Sequence, residues 1–494
     1  MNMDITQRFG ELLTLGADTP AVGADGVWDT WGDIARLRGT LHDLLAEIPP
    51  EAAIGVICRN SPEVIEVFVA LLAEHRVVFT LHDLQPDKAL AEEIAEKRPA
   101  AVLATETDLL RPGVRESIES SGLVGIAVSR GGAARLGVRR RPAPGFAVLT
   151  GDVAVSLKSS GTTGPPKRIE LSYPALSASI DAVERHHSKD GAPVRAALRS
   201  GVTIQMLSLA HTSALQTVCT TLAQGRRLVV LPRFEPVPWA KAVRENQVVT
   251  TGLPPAAVKM LLDSDVPADW LSSLKAVRAG SAPLPAEVAE QFEARFGVPV
   301  LRAYGATEFQ GIASWTLKDH KAHGADKRGA VGRVHPGVEV RVVSPETGEA
   351  VPNGEQGVLE VRSAGREDKG WVRTSDLARV DDDGFLWIEG RVDGAINRGG
   401  FKIDPDEVAA ALRTHPDVRD AAVVPADDPR LGQVPVAAVE LSTKDKVTGE
   451  DLRGWVRERL EPFKVPAQVA VVDALPRTAA MKADRQAILA LLGR

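Results

Sequence analysis

The chain has 494 residues, 44% of them hydrophobic and 25% charged, with a net charge of −6 spread over both signs. That length predicts two or more domains, each burying its own core, and the charge balance excludes the basic face that a DNA or RNA binder needs. Two cysteines, Cys58 and Cys219, are too few for a disulfide framework or a thiolate metal site and fit a reducing compartment.

Asp4 and Glu11 stand where a secretion signal would have a basic region and then an apolar run, so a cytoplasmic location is expected. Residues 28–106 alternate apolar strands with helical patterns, the rhythm of an α/β domain. Residues 54–58 read as a strand, and Ser61-Pro62 as a helix N-cap followed by proline at the first helical position. The apolar stretch 64–73 is shorter than a bilayer span and contains Glu66, which predicts a core helix, and no membrane span is expected anywhere. Residues 100–104 continue the strands, and the Gly-, Arg- and Pro-rich segment 131–145 interrupts them. Its run Arg139-Arg140-Arg141 has no interleaved aromatics and reads as a solvated loop.

The apolar run 153–157 enters a loop of hydroxyl residues and glycines, Ser159-Ser160-Gly161-Thr162-Thr163-Gly164, closed by Lys167. Glycines allow backbone N–H groups to approach an anion, hydroxyls add rotatable donors and the lysine adds charge, so the loop can cradle phosphates. Pro165 and Pro166 separate Gly164 from Lys167, which departs from the Walker pattern, and on its own the loop reads equally as a surface turn. Helices are predicted at 175–186, 212–223, 255–262 and 285–296, and strands at 202–209, 228–231, 248–253, 276–279 and 301–304. From about residue 331 the pattern changes to alternating strands with turn punctuation, read as antiparallel β. The last hundred or so residues read as an α+β unit, with a helix at 405–412, a strand at 421–424, and Thr448 capping a helix whose apolar stripe is Leu452, Trp455, Val456 and Leu460.

Five stretches, taken together, carry a resemblance. They are the loop just described; Tyr304-Gly305-Ala306-Thr307-Glu308; Arg373-Thr374-Ser375-Asp376-Leu377 with Asp383-Gly384-Phe385; Gly390-Arg391-Val392-Asp393 with Gly399, Gly400, Phe401, Lys402 and Ile403; and Pro476-Arg477-Thr478 with Lys482 and Arg485. In this order and spacing, from residue 156 to 485, they resemble the signatures of the adenylate-forming superfamily, which contains acyl- and aryl-CoA synthetases, peptide-synthetase adenylation domains and firefly luciferase. The resemblance covers nearly the whole chain. It implies an α/β multidomain fold: a large domain, residues 1–391, with the β-rich section at about 331–391, and a small mobile α+β domain, residues 392–494, hinged near Asp393.

It also implies the chemistry: a carboxylate attacks the α-phosphate of ATP, pyrophosphate leaves, and a thiol then takes the acyl group from the acyl-AMP. Ser159, Ser160, Gly161, Thr162, Thr163, Gly164 and Lys167 would hold the phosphates, with Thr307 near them. Glu308 would hold Mg²⁺, Tyr304 and Gly305 with Gly280-Ser281-Ala282 would flank the adenine, and Asp376 and Arg391 would take the ribose and phosphate region. Lys482 would bridge substrate carboxylate and α-phosphate, and Gly399 and Gly400 would admit the pantetheine arm of coenzyme A after the small domain turns about Asp393.

Segment 209–215 lacks the aspartate with which amino-acid-activating relatives pair the α-ammonium, so an acid without an amine is implied. His211 resembles the histidine beside the acyl pocket, and Leu207, Leu215, Leu253, Met260 and Ile312 as lining suggest a hydrophobic acid. Three residues depart from the family pattern, each replacing a glycine: Arg168, Ser375 and Met481. The last, beside Lys482, would restrict that lysine and weaken the adenylation half. The expected activity is therefore an acid:CoA ligase. A carrier protein as acceptor, an enzyme of the thioester half alone and a non-catalytic acyl-nucleotide binder are the alternatives, and a homodimer is left open.

Overall fold

The computed structural model describes residues 3–137, 139–158, 168–187, 196–280, 284–306, 310–363, 370–391, 395–442, 447–476 and 484–493. Among them the strands form four sheets, of seven, four, nine and five strands.

The seven-stranded sheet explains the first apolar runs. Strands Ala53–Ile57, Val77–Leu81 and Ala101–Thr105 are buried at every residue and pair in parallel with one another and with Val124–Ser129 and Val153–Lys158. Parallel strands covered on both faces need continuous apolar sequence, which these runs supply. The helix Pro62–Ala73 follows Ser61 with proline in its first turn and buries even Glu66, in a core shared with Phe9, Trp31 and Phe68. Within the interrupting segment, Gly132–Leu136 adds an antiparallel edge strand that its Gly-rich sequence conceals. Strand Val77–Leu81 ends at His82, and Val153–Lys158 ends where the phosphate-loop candidate begins. In an open parallel sheet those carboxyl ends are where ligands bind.

The four-stranded sheet joins Val202–Gln205 and Arg227–Val230 to the N-terminal hairpin Pro20–Ala24 and Val27–Thr30. The nine-stranded sheet starts parallel, with Thr250–Leu253, Ala276–Ala279 and Val300–Ala306. It then turns antiparallel through Gln310–Ser314, Gly332–Val334, Phe385–Arg391, Val372–Val380, Gly357–Ser363 and Val338–Val343. The β-rich section is thus a continuation of an α/β sheet and no separate layer, and antiparallel pairing begins at Val300–Ala306, before the change of texture in the sequence.

The C-terminal part builds its own five-stranded sheet on the long hairpin Val418–Asp428 and Gly432–Leu441, with separate apolar cores on its two faces. Thr448 caps Gly449–Arg457 through a reciprocal capping box with Asp451, and Leu452 and Val456 point inward. No helix among the described residues is long and apolar enough to cross a membrane.

Candidate active site

One cavity of about 750 Å³ takes lining from the large part and from the C-terminal part together. Gly280, Tyr304, Gly305, His211, Leu207 and Leu253 line it, and so do Gly399, Gly400 and Phe401.

Tyr304 stands on Val300–Ala306 and Asp376 on Val372–Val380, two strands of the same sheet. The tyrosine hydroxyl donates to Oδ2 of Asp376, and the Asp376 backbone N–H donates to Thr374 Oγ1 at 3.0 Å. Asp376 is 5% exposed, so this is a carboxylate fixed by its neighbours, as an acceptor for vicinal hydroxyls must be. Asp376 also pairs in register with Arg391. Ser375 lies in the same strand and has no positive φ, so a serine serves there without strain.

At another side of the cavity, His82 and His211 meet with their Nε2 atoms 3.2 Å apart. The Leu84 N–H donates to His82 Nδ1 at 3.1 Å, which puts the His82 proton on Nε2, where it donates to His211. Burial lowers both imidazoles, His211 to about 3, so both are neutral at physiological pH. The Phe401 ring packs edge-on against His211, at 4.8 Å between centroids, and stacks on Phe463 at 4.3 Å. Phe401 follows the turn that joins Ile396–Arg398 to Phe401–Ile403. Arg398 and Phe401 close it as a cross-strand pair, and Gly399 and Gly400 have φ of +59° and +106°. A two-residue loop with positive φ at both positions is a glycine loop, and its tip faces the cavity.

Two buried ion clusters flank this junction. In the large part Arg168 reaches Glu93 at 2.7 Å and the backbone oxygens of Ser156 and Thr80 at 3.0 and 2.9 Å, with its guanidinium over Phe79. Arg168 therefore acts as a staple between strands. In the C-terminal part Lys464, 4% exposed, pairs with Glu407 at 2.8 Å and Glu461 at 2.9 Å. Lys158, at the start of the phosphate-loop candidate, ion-pairs with Glu93 at 3.5 Å. Against the burial that would raise it, the Glu461 carboxyl is held down to about 2 by Lys464 first and by Lys158 as well.

Ser159, Ser160, Gly161, Thr162, Thr163, Gly164, Lys167, Ser281, Ala282, Thr307, Glu308, Asp393, Met481 and Lys482 lie outside the described residues. Ile312 is corrected. It is fully buried with Leu359, Val361, Ala378 and Leu386, because Gly311 and Ala313 take the cavity face of its strand. Leu215 belongs to the core under the first sheet, and Met260 is absent from the cavity wall. Leu207 and Leu253 do line the cavity, and Thr220, Gln224, Arg226 and Arg278 add polar and charged groups to the same wall. His82 and Lys464 escaped the sequence reading. The signal for His82 is a titratable residue directly after the carboxyl end of a buried strand.

The chain matches the AMP-binding enzyme family over residues 15–366 and the AMP-binding enzyme C-terminal domain over residues 407–482. It is 29% identical to 4-coumarate--CoA ligase-like 5 of Oryza sativa subsp. japonica, over 92% of this chain and 83% of that protein. Among solved structures, amide bond synthetase McbA from Marinactinospora thermotolerans superposes with a TM-score of 0.83 at 27% identity, over 98% of this chain and 99% of that one. A malonyl-CoA ligase bound to methylmalonyl-CoA and AMP superposes with a TM-score of 0.75 at 28% identity, over 93% and 97% of the two chains. With a family match spanning most of its length and these relatives, the chain belongs to the AMP-binding enzymes, in the acyl-CoA ligase branch of the adenylate-forming superfamily.

Proposed function

We propose that the chain is an acid:CoA ligase, which activates a carboxylic acid as acyl-AMP and passes the acyl group to the thiol of coenzyme A. One observation carries this reading. The Gly399-Gly400 turn of the C-terminal part lines the same cavity as Tyr304, Gly305 and Gly280, so a narrow thiol arm entering past the turn would meet an acyl group held beside the nucleotide. Tyr304 and Asp376 would orient adenine and ribose, and the neutral His82–His211 pair beside Phe401 offers a polar, uncharged lining to the approaching thiol. Glu308, a hard oxygen ligand, would hold Mg²⁺, which neutralises phosphate charge when bound, and Thr163 and Lys167 would grip the phosphates in the ATP-consuming half. Lys482 would stabilise the adenylation transition state. Both cysteines are buried free thiols, which suits our reading of a cytoplasmic enzyme.

Two acceptors compete with coenzyme A: the pantetheine of a carrier protein and, from the likeness to an amide bond synthetase, an amine. The test supplies acid, ATP-Mg²⁺ and CoA in one arm and synthetic acyl-AMP with CoA in the other, with an amine or an acyl carrier replacing CoA in parallel. Thioester from both CoA arms is expected. Thioester from acyl-AMP alone would reduce the activity to the second half, and product only with the amine or the carrier would replace CoA as acceptor.

A further inference from the structure

At one end of the cavity stand two arginines for which the described residues supply no carboxylate partner. Helix Thr212–Ala223 runs along the wall, with Thr212, Gln216, Thr217 and Thr220 on the lining face and Gln224 just beyond its end. Twelve residues of helix span about 18 Å, so the far end lies about that distance from His211. Arg226 stands there, just before strand Arg227–Val230 and donating its backbone N–H to the Thr221 carbonyl, and its neighbour Arg278, on strand Ala276–Ala279, lines the same cavity.

Arg278 Nε is buried without a hydrogen-bond partner, and among the described residues no carboxylate lies within ion-pair distance of Arg278 or Arg226. Among the described residues the Arg226 side chain makes a long hydrogen bond, Nη2 to the Val202 carbonyl at 3.4 Å. Glu184, the carboxylate on this stretch of wall, is already engaged by Arg8 at 3.0 Å, and Arg8 also takes Asp181. Burial and the neighbouring Arg226 lower Arg278 to about 10, which still leaves it charged at neutral pH. A buried guanidinium without a partner is costly and is retained where a ligand supplies the missing anion. Aliphatic cargo would need the opposite lining.

We propose that the acid substrate carries a second anionic group at its far end, a distal carboxylate, and that Arg278 with Arg226 binds it. The substrate class is then dicarboxylic acids long enough to reach from the nucleotide side to these arginines, with the Thr and Gln side chains of the wall serving polar groups between. This rests on the ligase reading of the same site.

The test is a panel of α,ω-dicarboxylic acids from succinate to dodecanedioate, each against the monocarboxylic acid and the half methyl ester of equal length, read as AMP release and thioester. A charge-assisted contact predicts a preference in kcat/KM of about tenfold to a hundredfold for the best diacid. Arg278→Met should bring that ratio toward one and Arg278→Lys should restore part of it. Monoacids used as well as diacids by the wild type would overturn the proposal and leave the ligase reading standing. No AMP from any acid would overturn the ligase reading, and thermal shift with diacid alone then decides. Stabilisation of the wild type but not of Arg278→Met supports the anion site, and equal or absent shifts refute it.

Discussion

Replacing Gly400 by alanine separates the two half-reactions. Gly400 holds φ at +106°, between the paired residues Arg398 and Phe401, a conformation that L-residues other than glycine pay about 1–3 kcal/mol to adopt. That strain falls on the turn whose tip lines the cavity, while Tyr304 and Asp376 sit on a different sheet. If the turn must keep its shape for the thiol arm to pass, a population penalty of that size slows thioester formation roughly fivefold to 150-fold. The assay follows thioester from synthetic acyl-AMP plus CoA in Gly400→Ala, beside acid-dependent ATP–pyrophosphate exchange in the same preparation. Exchange should stay within about twofold of the wild type, since nothing in the nucleotide contacts changes. Equal losses in both halves would show that the turn supports the whole fold, and no loss in either would show that the thiol does not pass it.

Further expectations follow from single contacts. Tyr304→Phe removes the hydroxyl that fixes Asp376, so KM for ATP should rise roughly fivefold to thirtyfold with a smaller change in kcat, measured by steady-state kinetics; an unchanged KM would separate that pair from nucleotide binding. Lys464→Met strands the buried carboxylates of Glu407 and Glu461 and should cost about 3–5 kcal/mol in urea unfolding of the C-terminal part, with Trp455 as reporter; a loss under about 1 kcal/mol would contradict the burial argument. Glu66 is fully buried, and burial reinforced by Asp29 pushes its carboxyl up to about 9. A carboxyl raised in the folded state favours the fold at low pH and loses that contribution as pH rises from its ordinary value of 4.5 toward 9, so Glu66→Gln should match the wild type near pH 4.5 and exceed it by a few kcal/mol at pH 8. A stability difference independent of pH would refute this.

Much of the architecture was legible because local and tertiary demands agree. The helices Thr212–Ala223 and Pro255–Leu262 and the strand Ala276–Ala279 fall at the residues their patterns predict, and Glu66 marked its helix as one held in a core. The extended run expected over 202–209 stops at Gln205, since Ser208 turns to donate to the Cys58 carbonyl at 2.7 Å. Ile312 was misread because facing is a period of two, and only the sheet pairing tells which of Gly311, Ile312 and Ala313 turns to the cavity. Arg278 was invisible for a related reason. In Ala-Val-Arg-Ala it is one polar residue in a short strand, and its significance comes from Arg226, a distant part of the chain brought to the same wall. Arg168 looked like a defect in a phosphate loop, and its contacts with Ser156 and Thr80 on neighbouring strands and with Glu93 on helix Asp87–Lys97 depend on an alignment that no spacing in the sequence reveals.

The claim that the chain makes its own acyl-AMP and then a thioester is tested most directly by Lys482→Ala, assayed in both halves. Acid-dependent pyrophosphate exchange should fall about a hundredfold to a thousandfold, the loss expected for one preorganised cationic donor, while thioester from supplied acyl-AMP should stay near the wild-type rate. Full exchange activity in the variant, or equal loss in both halves, would contradict the account.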